Sequence, residues 1–204
     1  MSSVDRKKAT LRKLTSGIGK LDLILDGGIP EFSFNVIMGV PGSGKTTLAH
    51  QIIFANATKE QPVLYFTVLG EPTIKMLRYQ QQFTFFDTAK VNDSIHFANL
   101  GELALEGDLN KTLETILQNI DRFDPGIVVV DSFRTLIAPT EQGTVQEFVQ
   151  KLAVRLTGAQ ATTFLVGEYT TDDRIHNPVF TLADGIIELS QDMERNSMVR
   201  KLRV

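Results

Sequence analysis

A chain of 204 residues with 21 basic and 24 acidic side chains, net charge −3, has the length of one domain with a substantial core, and it exerts no overall attraction on nucleic acid or an anionic membrane. It contains no cysteine, which excludes thiolate-held zinc, thiolate-held iron–sulfur clusters and catalysis through a cysteine nucleophile. No stretch approaches the roughly 18–20 apolar residues of a membrane helix, and residues 1–10 are polar where a signal peptide would be apolar. No membrane partner is expected, and the expected compartment is the cytoplasm.

Residues 1–13 read as a polar leader made basic by Arg6, Lys7, Lys8, Arg12 and Lys13. Arg195, Arg200, Lys201 and Arg203 make the far end basic too, and both ends read as solvated flanks. Residues 14–204 are expected to form one domain, in which runs of Val, Ile and Phe alternate with stretches of helical period. This is the pattern of an α/β fold, a mostly parallel central sheet flanked by helices.

In chain order, a strand over 34–38 precedes a helix over 45–56, then a strand over 63–68 and a helix over 72–82 with Pro72 in its first turn. A strand over 95–99 follows, then a helix over 109–123, capped by Asp108 and carrying Leu109, Leu113, Ile116, Leu117 and Ile120 on one face. The remaining elements are a strand over 127–130, a helix over 145–156 with Gly158 as a left-handed stop, and strands over 162–166, 185–189 and 198–204. No internal repeat, low-complexity tract or linker interrupts them.

Between the first strand and its helix runs Gly39-Val40-Pro41-Gly42-Ser43-Gly44-Lys45-Thr46, which fits G-x-x-x-x-G-K-[ST] in the strand–loop–helix context that pattern requires. Glycines let the backbone turn its N–H groups inward around phosphate oxygens, and the helix adds the positive end of its dipole. The cradle is expected to extend from Gly39 through Thr47 and to hold ATP, with Lys45 reaching the β- and γ-phosphates. The Thr46 hydroxyl is expected to ligate Mg2+, an ion that keeps several waters and takes few protein oxygens. A second metal anchor is Asp131, which ends the buried run Ile127-Val128-Val129-Val130 and resembles a Walker B acid.

The sequence as a whole resembles RecA-superfamily ATPases of the KaiC-like branch. The likeness runs from about Leu14 to Leu189. It rests on Thr15-Ser16-Gly17-Ile18-Gly19-Lys20-Leu21-Asp22, on Gly27-Gly28-Ile29-Pro30 before the cradle strand, on Asp131-Ser132-Phe133, and on Gln160-Ala161-Thr162-Thr163. It implies a RecA-like P-loop fold with antiparallel strands at the C-terminal end. It also implies a homo-oligomeric ring, commonly a hexamer, with ATP between subunits, and room for regulatory protein partners.

In the same family a glutamate beyond the second strand activates water, and it is usually one of a pair. Here the run is Thr67-Val68-Leu69-Gly70-Glu71-Pro72, so a lone Glu71 falls about one residue late and is the candidate water-orienting base. As an acid at a helix start Glu71 also has a purely electrostatic explanation. Glu168 matches a polar residue that senses the γ-phosphate, the alternative being an ordinary loop acid. Residues 133–143 and 169–181 correspond to loops lining the channel of such rings, with Arg134 and Arg174 as their basic residues.

The family's trans-acting Lys and Arg lie just past the strand over 198–204. Lys201 and Arg203 fall earlier than those, so the sequence is expected to be a piece of a longer protein with slow turnover, since loss of an arginine-finger-type cation costs roughly 10³–10⁵ in rate.

Weaker signals resolve to plain roles. His50, His96 and His176 lack paired spacing and read as ordinary histidines. Glu102, Glu106 and Asp108 read as surface acids, and Phe83, Phe85, Phe86 and Phe97 as core, not as a base-stacking platform. Nothing marks a phosphorylated Ser or Thr, and autokinase activity stays open. The leading reading is an ATPase acting through nucleotide-dependent ring assembly, with a signalling or clock-like role suggested by analogy. Two alternatives stay open: a DNA-binding recombinase or mediator, which the acidic balance argues against, and a nucleotide-gated assembly module with little hydrolysis, which the displaced Glu71 would suit.

Overall fold

The computed structural model describes residues 12–68, 73–195 and 197–204. The chain opens with a short ribbon in which strand β1 (Lys13–Leu14) pairs antiparallel with β2 (Ile29–Pro30), on either side of helix α1 (Gly19–Ile24). Asp22 organises this segment, accepting from the Ser16 N–H at 2.7 Å and the Thr15 hydroxyl at 2.5 Å. Gly28 has φ +130°, and a Cβ there would overlap the Leu14 carbonyl. Gly28→Ala is therefore expected to separate β2 from β1 and to destabilise the fold by about 1–3 kcal/mol, read as a lowered urea midpoint.

The main body alternates strand and helix: β3 (Phe34–Gly39), α2 (Lys45–Asn56), β4 (Val63–Thr67), α3 (Thr73–Gln80), β5 (Ile95–Asn99), α4 (Gly101–Glu106), α5 (Leu109–Phe123) and β6 (Ile127–Asp131). It continues with α6 (Phe133–Ile137), α7 (Gln142–Gly158), β7 (Thr162–Gly167), α8 (Asp173–His176), β8 (Gly185–Glu194) and β9 (Ser197–Arg203). Strands β3 to β9 form one sheet in the order β5-β4-β6-β7-β3-β8-β9, parallel throughout except for β9, which runs antiparallel to β8.

Side chains alternate across this sheet. Val36, Met38, Leu64, Phe66, Val128, Val130 and Leu165 pack against Ile116 and Ile120 of α5 and Phe148, Val149 and Leu152 of α7. Ile37, Val63, Tyr65, Ile127, Val129, Phe164 and Val166 pack against Leu48, Ile52 and Ile53 of α2. Both faces are covered, which is why these strands read as unbroken apolar runs. Each such side chain taken fully out of water contributes ~1.5–3 kcal/mol.

The parallel strands all end at one edge. Because β7 and β6 lie between β3 and β4, the chain leaves β3, crosses over through α2 and returns three positions along the sheet, which brings the ends of β3, β4 and β6 to one crevice, the usual place for a ligand in such sheets.

Several boundaries differ from the sequence expectation. Strand β8 runs to Glu194 and not to 189, since beyond the body of the sheet it pairs with β9 as a two-stranded ribbon open to water, and its polar residues carry no apolar pattern. Gly158 is the last residue of α7 and not its left-handed stop. That conformation falls on Gln160, φ +54°, whose N–H donates to the Thr157 carbonyl at 3.0 Å. Residues 133–143 are not simply a loop, because Phe133, Leu136 and Ile137 bury one side of α6 against the core. Asp108 caps α5 as its spacing predicts, accepting from the Lys111 N–H at 3.0 Å, and Phe85, Phe86 and Phe97 pack on the α2 side of the core, whereas Phe83, expected there too, is exposed and stacks on Phe85 from outside. Pro72 lies outside the described residues, as do Arg6, Lys7 and Lys8.

Candidate nucleotide-binding site

Strand β3 ends at Gly39 with φ +150°, where a Cβ would run into the Leu189 carbonyl of β8 and the Ser43 hydroxyl. The loop can follow this path only with glycine there. Gly44, at φ +103°, then turns the chain into α2. Within the loop the Ser43 N–H donates to the Val40 carbonyl at 3.2 Å, and the Gln191 side-chain amide donates to the Gly42 carbonyl at 2.5 Å. Val40, Pro41 and Gly42 face solvent, Ser43 and Lys45 are buried, and Thr46 and Thr47 are half-buried in the first turn of α2.

Lys45 Nζ donates to the Val40 carbonyl at 2.9 Å, arching back over the loop. Burial pulls the Lys45 ammonium below the usual lysine range, while the charges of Glu168 and Asp131 oppose this and favour the protonated form. The Thr46 hydroxyl donates to Asp131 Oδ2 at 2.7 Å, and the Tyr65 hydroxyl donates to the same oxygen at 2.8 Å. Burial pushes the Asp131 carboxyl above the ordinary carboxylate range, and the hydrogen bonds from Thr46 and Tyr65 with the Lys45 charge pull it back in part. Burial, with the Asp131 charge, likewise pushes the Tyr65 phenol up, so it stays a donor. Thus Gly39 to Thr47, Asp131 and Glu168 converge at one edge of the sheet, with Glu168 itself exposed on the loop after β7. Glu71 lies outside the described residues.

The two arginines of the loops beyond β6 and β7 are both engaged within the chain. Arg134 donates to the Glu168 carbonyl at 2.6 Å and to Asp173 Oδ2 at 3.0 Å, tying α6 to the loop that carries Glu168. Arg174 lies 3.7 Å from Glu188. On the edge strand β9, Lys201 pairs with Asp192 at 2.9 Å and Glu194 at 2.8 Å, and Arg203 stands opposite Glu188.

Sequence reasoning passed over Tyr65, Gln191 and the clamp made by Arg134. The signal for Tyr65 was a phenol hydroxyl in the middle of a buried strand, which needs a polar partner. Gln191 carries no local signal, since its role depends on β8 passing beside the loop.

The donor set fits the ligands that the motif implies. Oxygen donors alone meet at the metal position, as suits a hard cation, and the Ser43 hydroxyl is buried in the cradle without a partner among the described residues. A family described as "ATPase: KaiC" matches residues 14–204. The chain belongs to the KaiC ATPase family.

Other comparisons agree with membership of the KaiC family. DNA repair protein RadA of Mycobacterium tuberculosis (strain CDC 1551 / Oshkosh) is 29% identical over 211 residues that cover 100% of this chain and 40% of RadA. The chain thus spans well under half the length of that relative. A UPF0273 protein of Pyrococcus furiosus is 26% identical, over 95% of this chain and 86% of its own length. The crystal structure of a KaiC-like protein from Pyrococcus horikoshii OT3 superposes with a TM-score of 0.78 at 23% identity, over 95% of this chain and 87% of that one, which shows a shared fold.

Proposed function

We propose that this KaiC-family chain binds ATP with Mg2+ in the cradle from Gly39 to Thr47 and hydrolyses it slowly as one subunit of a homo-oligomeric ring. The observation that carries the reading is the hydrogen bond between the Thr46 hydroxyl and Asp131, two residues 85 positions apart that the fold brings to 2.7 Å. Nothing in the packing of two strands and a helix requires that pair, whereas a phosphate-bound cation needs both groups side by side.

In this reading the loop N–H groups and the N-terminal end of α2 hold the phosphates, and Lys45 exchanges its bond to the Val40 carbonyl for the β- and γ-oxygens. Thr46 and Asp131 would hold Mg2+, which supplies charge neutralisation at the phosphate oxygens when bound. Glu71 orients the attacking water, and Glu168 reports on the γ-phosphate through its proximity to Lys45. Residues 14–204 act as one ATPase domain, with residues 1–13 as a leader. A regulatory role through changes of assembly, in the cytoplasm, follows by analogy with the family. No helix among the described residues is long and apolar enough to cross a membrane.

Size-exclusion chromatography with light scattering, with and without ATP and Mg2+, tests binding and assembly together. The parent is expected to shift to a larger species with both ligands. Asp131→Asn keeps the shape of the side chain but loses the anion, and is expected to weaken Mg2+-supported assembly and to cut turnover about 100-fold. An unchanged Asp131→Asn variant would remove the acid from the site.

The similarity to RadA favours a second reading, DNA binding, but the net charge of −3 and the internal pairing of Arg134 and Arg174 weaken it. A steep fall of DNA affinity with salt would restore it.

A further inference from the structure

The α2-facing side of β4 carries hydroxyls at alternate positions, Tyr65 and Thr67, at the strand end nearest Asp131. Thr67 is the register partner of Asp131, and Tyr65 reaches the Asp131 carboxylate itself. Tyr65 is fully buried, and its ring stacks on His50 at 4.8 Å with 7° between the planes. His50 lies one helical turn beyond Thr46, so α2 touches this arrangement twice, through the hydroxyl of Thr46 and through the ring of His50. The result is a closed circuit from α2 to β6 to β4 and back to α2, with Asp131 Oδ2 as its shared acceptor.

The backbone of Thr67 is already satisfied, its carbonyl accepting from the Leu100 N–H at 2.7 Å, while the following N–H, that of Val68, donates to the Asp131 carbonyl at 2.9 Å. Its side chain is not. The Thr67 hydroxyl is buried, with residue exposure of 6%, and has no hydrogen-bond partner among the described residues. Folded proteins rarely leave a buried hydroxyl unmet unless water, an ion or a ligand completes it. On this strand a valine would pack as well, and the strand is otherwise built of apolar residues.

We propose that β4 forms one wall of the metal site, with the Thr67 hydroxyl binding a water of the hydration shell of nucleotide-bound Mg2+ and the Tyr65 hydroxyl acting as a positioning group that holds the Asp131 carboxylate in place. This rests on the nucleotide reading above and adds two residues to it. The chemistry suits the ion, because Mg2+ keeps several waters whose protons need acceptors, and a hydroxyl both accepts and donates. Outer partners of this kind fix the orientation of the inner ligands, and removing one costs about 10- to 100-fold in metal affinity.

The test is the affinity of a fluorescent ATP analogue, measured by anisotropy in EDTA and across a Mg2+ series, for the parent, Thr67→Val, Thr67→Ser and Tyr65→Phe. Affinity in EDTA is expected to be the same for all four. The Mg2+ concentration needed for half of the metal-dependent gain is expected to rise about 10-fold or more in Thr67→Val and Tyr65→Phe, and to stay near the parent value in Thr67→Ser. The thermal midpoint of Thr67→Val is expected to be close to the parent's, since valine is nearly isosteric with threonine, whereas Tyr65→Phe keeps the stack on His50 but loses the bond to the buried carboxylate and is expected to unfold roughly 3–10 °C lower while staying folded at the temperature of the titration.

A Mg2+ dependence equal to the parent's in both variants overturns the proposal while leaving nucleotide binding intact. An equal loss in EDTA and in Mg2+, or an unfolded Thr67→Val, overturns it in favour of a packing role. A parent that takes up no nucleotide overturns the reading beneath it.

Discussion

Lys45→Ala is expected to lower ATP affinity by roughly 10²–10⁴-fold while leaving the fold intact. Hydrogen bonds to charged groups contribute about 1.5–3 kcal/mol each, an ammonium bridging two phosphates makes two of them, and each ~1.4 kcal/mol is a factor of ten. The structure places this ammonium where the change should fall on binding and not on folding. Among the described residues its hydrogen bond goes to the carbonyl of Val40, on the exposed crest of the loop, so the freed carbonyl can turn to water. Burial lowers the Lys45 pKa, but the charges of Glu168 and Asp131 oppose that, and a triphosphate would add more negative charge beside it. Lys45→Arg is expected to recover little, because a planar guanidinium cannot act as a compact charge in a narrow loop. Calorimetric titration with ATP and Mg2+, alongside far-ultraviolet dichroism, reads both halves of the expectation. Parent-like affinity in Lys45→Ala would remove the lysine from the site.

The second large effect concerns stability and acid. His50 is fully buried among Phe54, Tyr65 and Phe97, and neither ring nitrogen has a hydrogen-bond partner among the described residues. Burial drives its pKa from 6.5 down to about 4, the Thr46 backbone opposing this slightly without the geometry of a hydrogen bond. Between those two pH values the unfolded chain carries a proton on His50 that the folded chain does not. Stability from this residue is therefore complete above pH 6.5 and falls as the pH drops toward 4, by ~1.4 kcal/mol per unit and about 3 kcal/mol across the window.

His50→Phe removes the titration and replaces two unmet nitrogens with an apolar ring in an aromatic cluster. Its stability advantage over the parent is expected to grow by roughly 3 kcal/mol between pH 7 and pH 4. Urea denaturation of both proteins at several pH values measures it, and taking the difference cancels groups common to both, such as Asp131. Parallel curves would mean that His50 is not held neutral in the folded protein.

These two sites differ in how far the sequence exposes them. The cradle is a local object: glycines, Lys45 and Thr46 lie within eight consecutive positions between a strand and a helix, and spacing alone identifies them. Asp131 is legible for a related reason, since a lone acid closing an aliphatic run marks where a buried strand reaches the sheet edge. The covered parallel sheet is legible too, because strands buried on both faces lose the alternation of polar and apolar residues. His50 was visible only as a histidine on a helix, with no indication that both of its neighbours across the core would be aromatic.

Residue types and short-range spacing thus determined the fold class and singled out the loop from Gly39 to Thr46 with Asp131 as its candidate acidic partner. Tertiary structure decided what surrounds them: the Tyr65 hydroxyl on Asp131 across 66 positions, the Gln191 amide on the loop across 149, and Arg134 joining α6 to the loop of Glu168. These contacts depend on strand order and register, above all on β7 and β6 lying between β3 and β4 and on β8 passing beside Gly39. Order and register are set by how the crossover helices pack over both faces at once, a property of the assembled core that no local pattern of residues encodes.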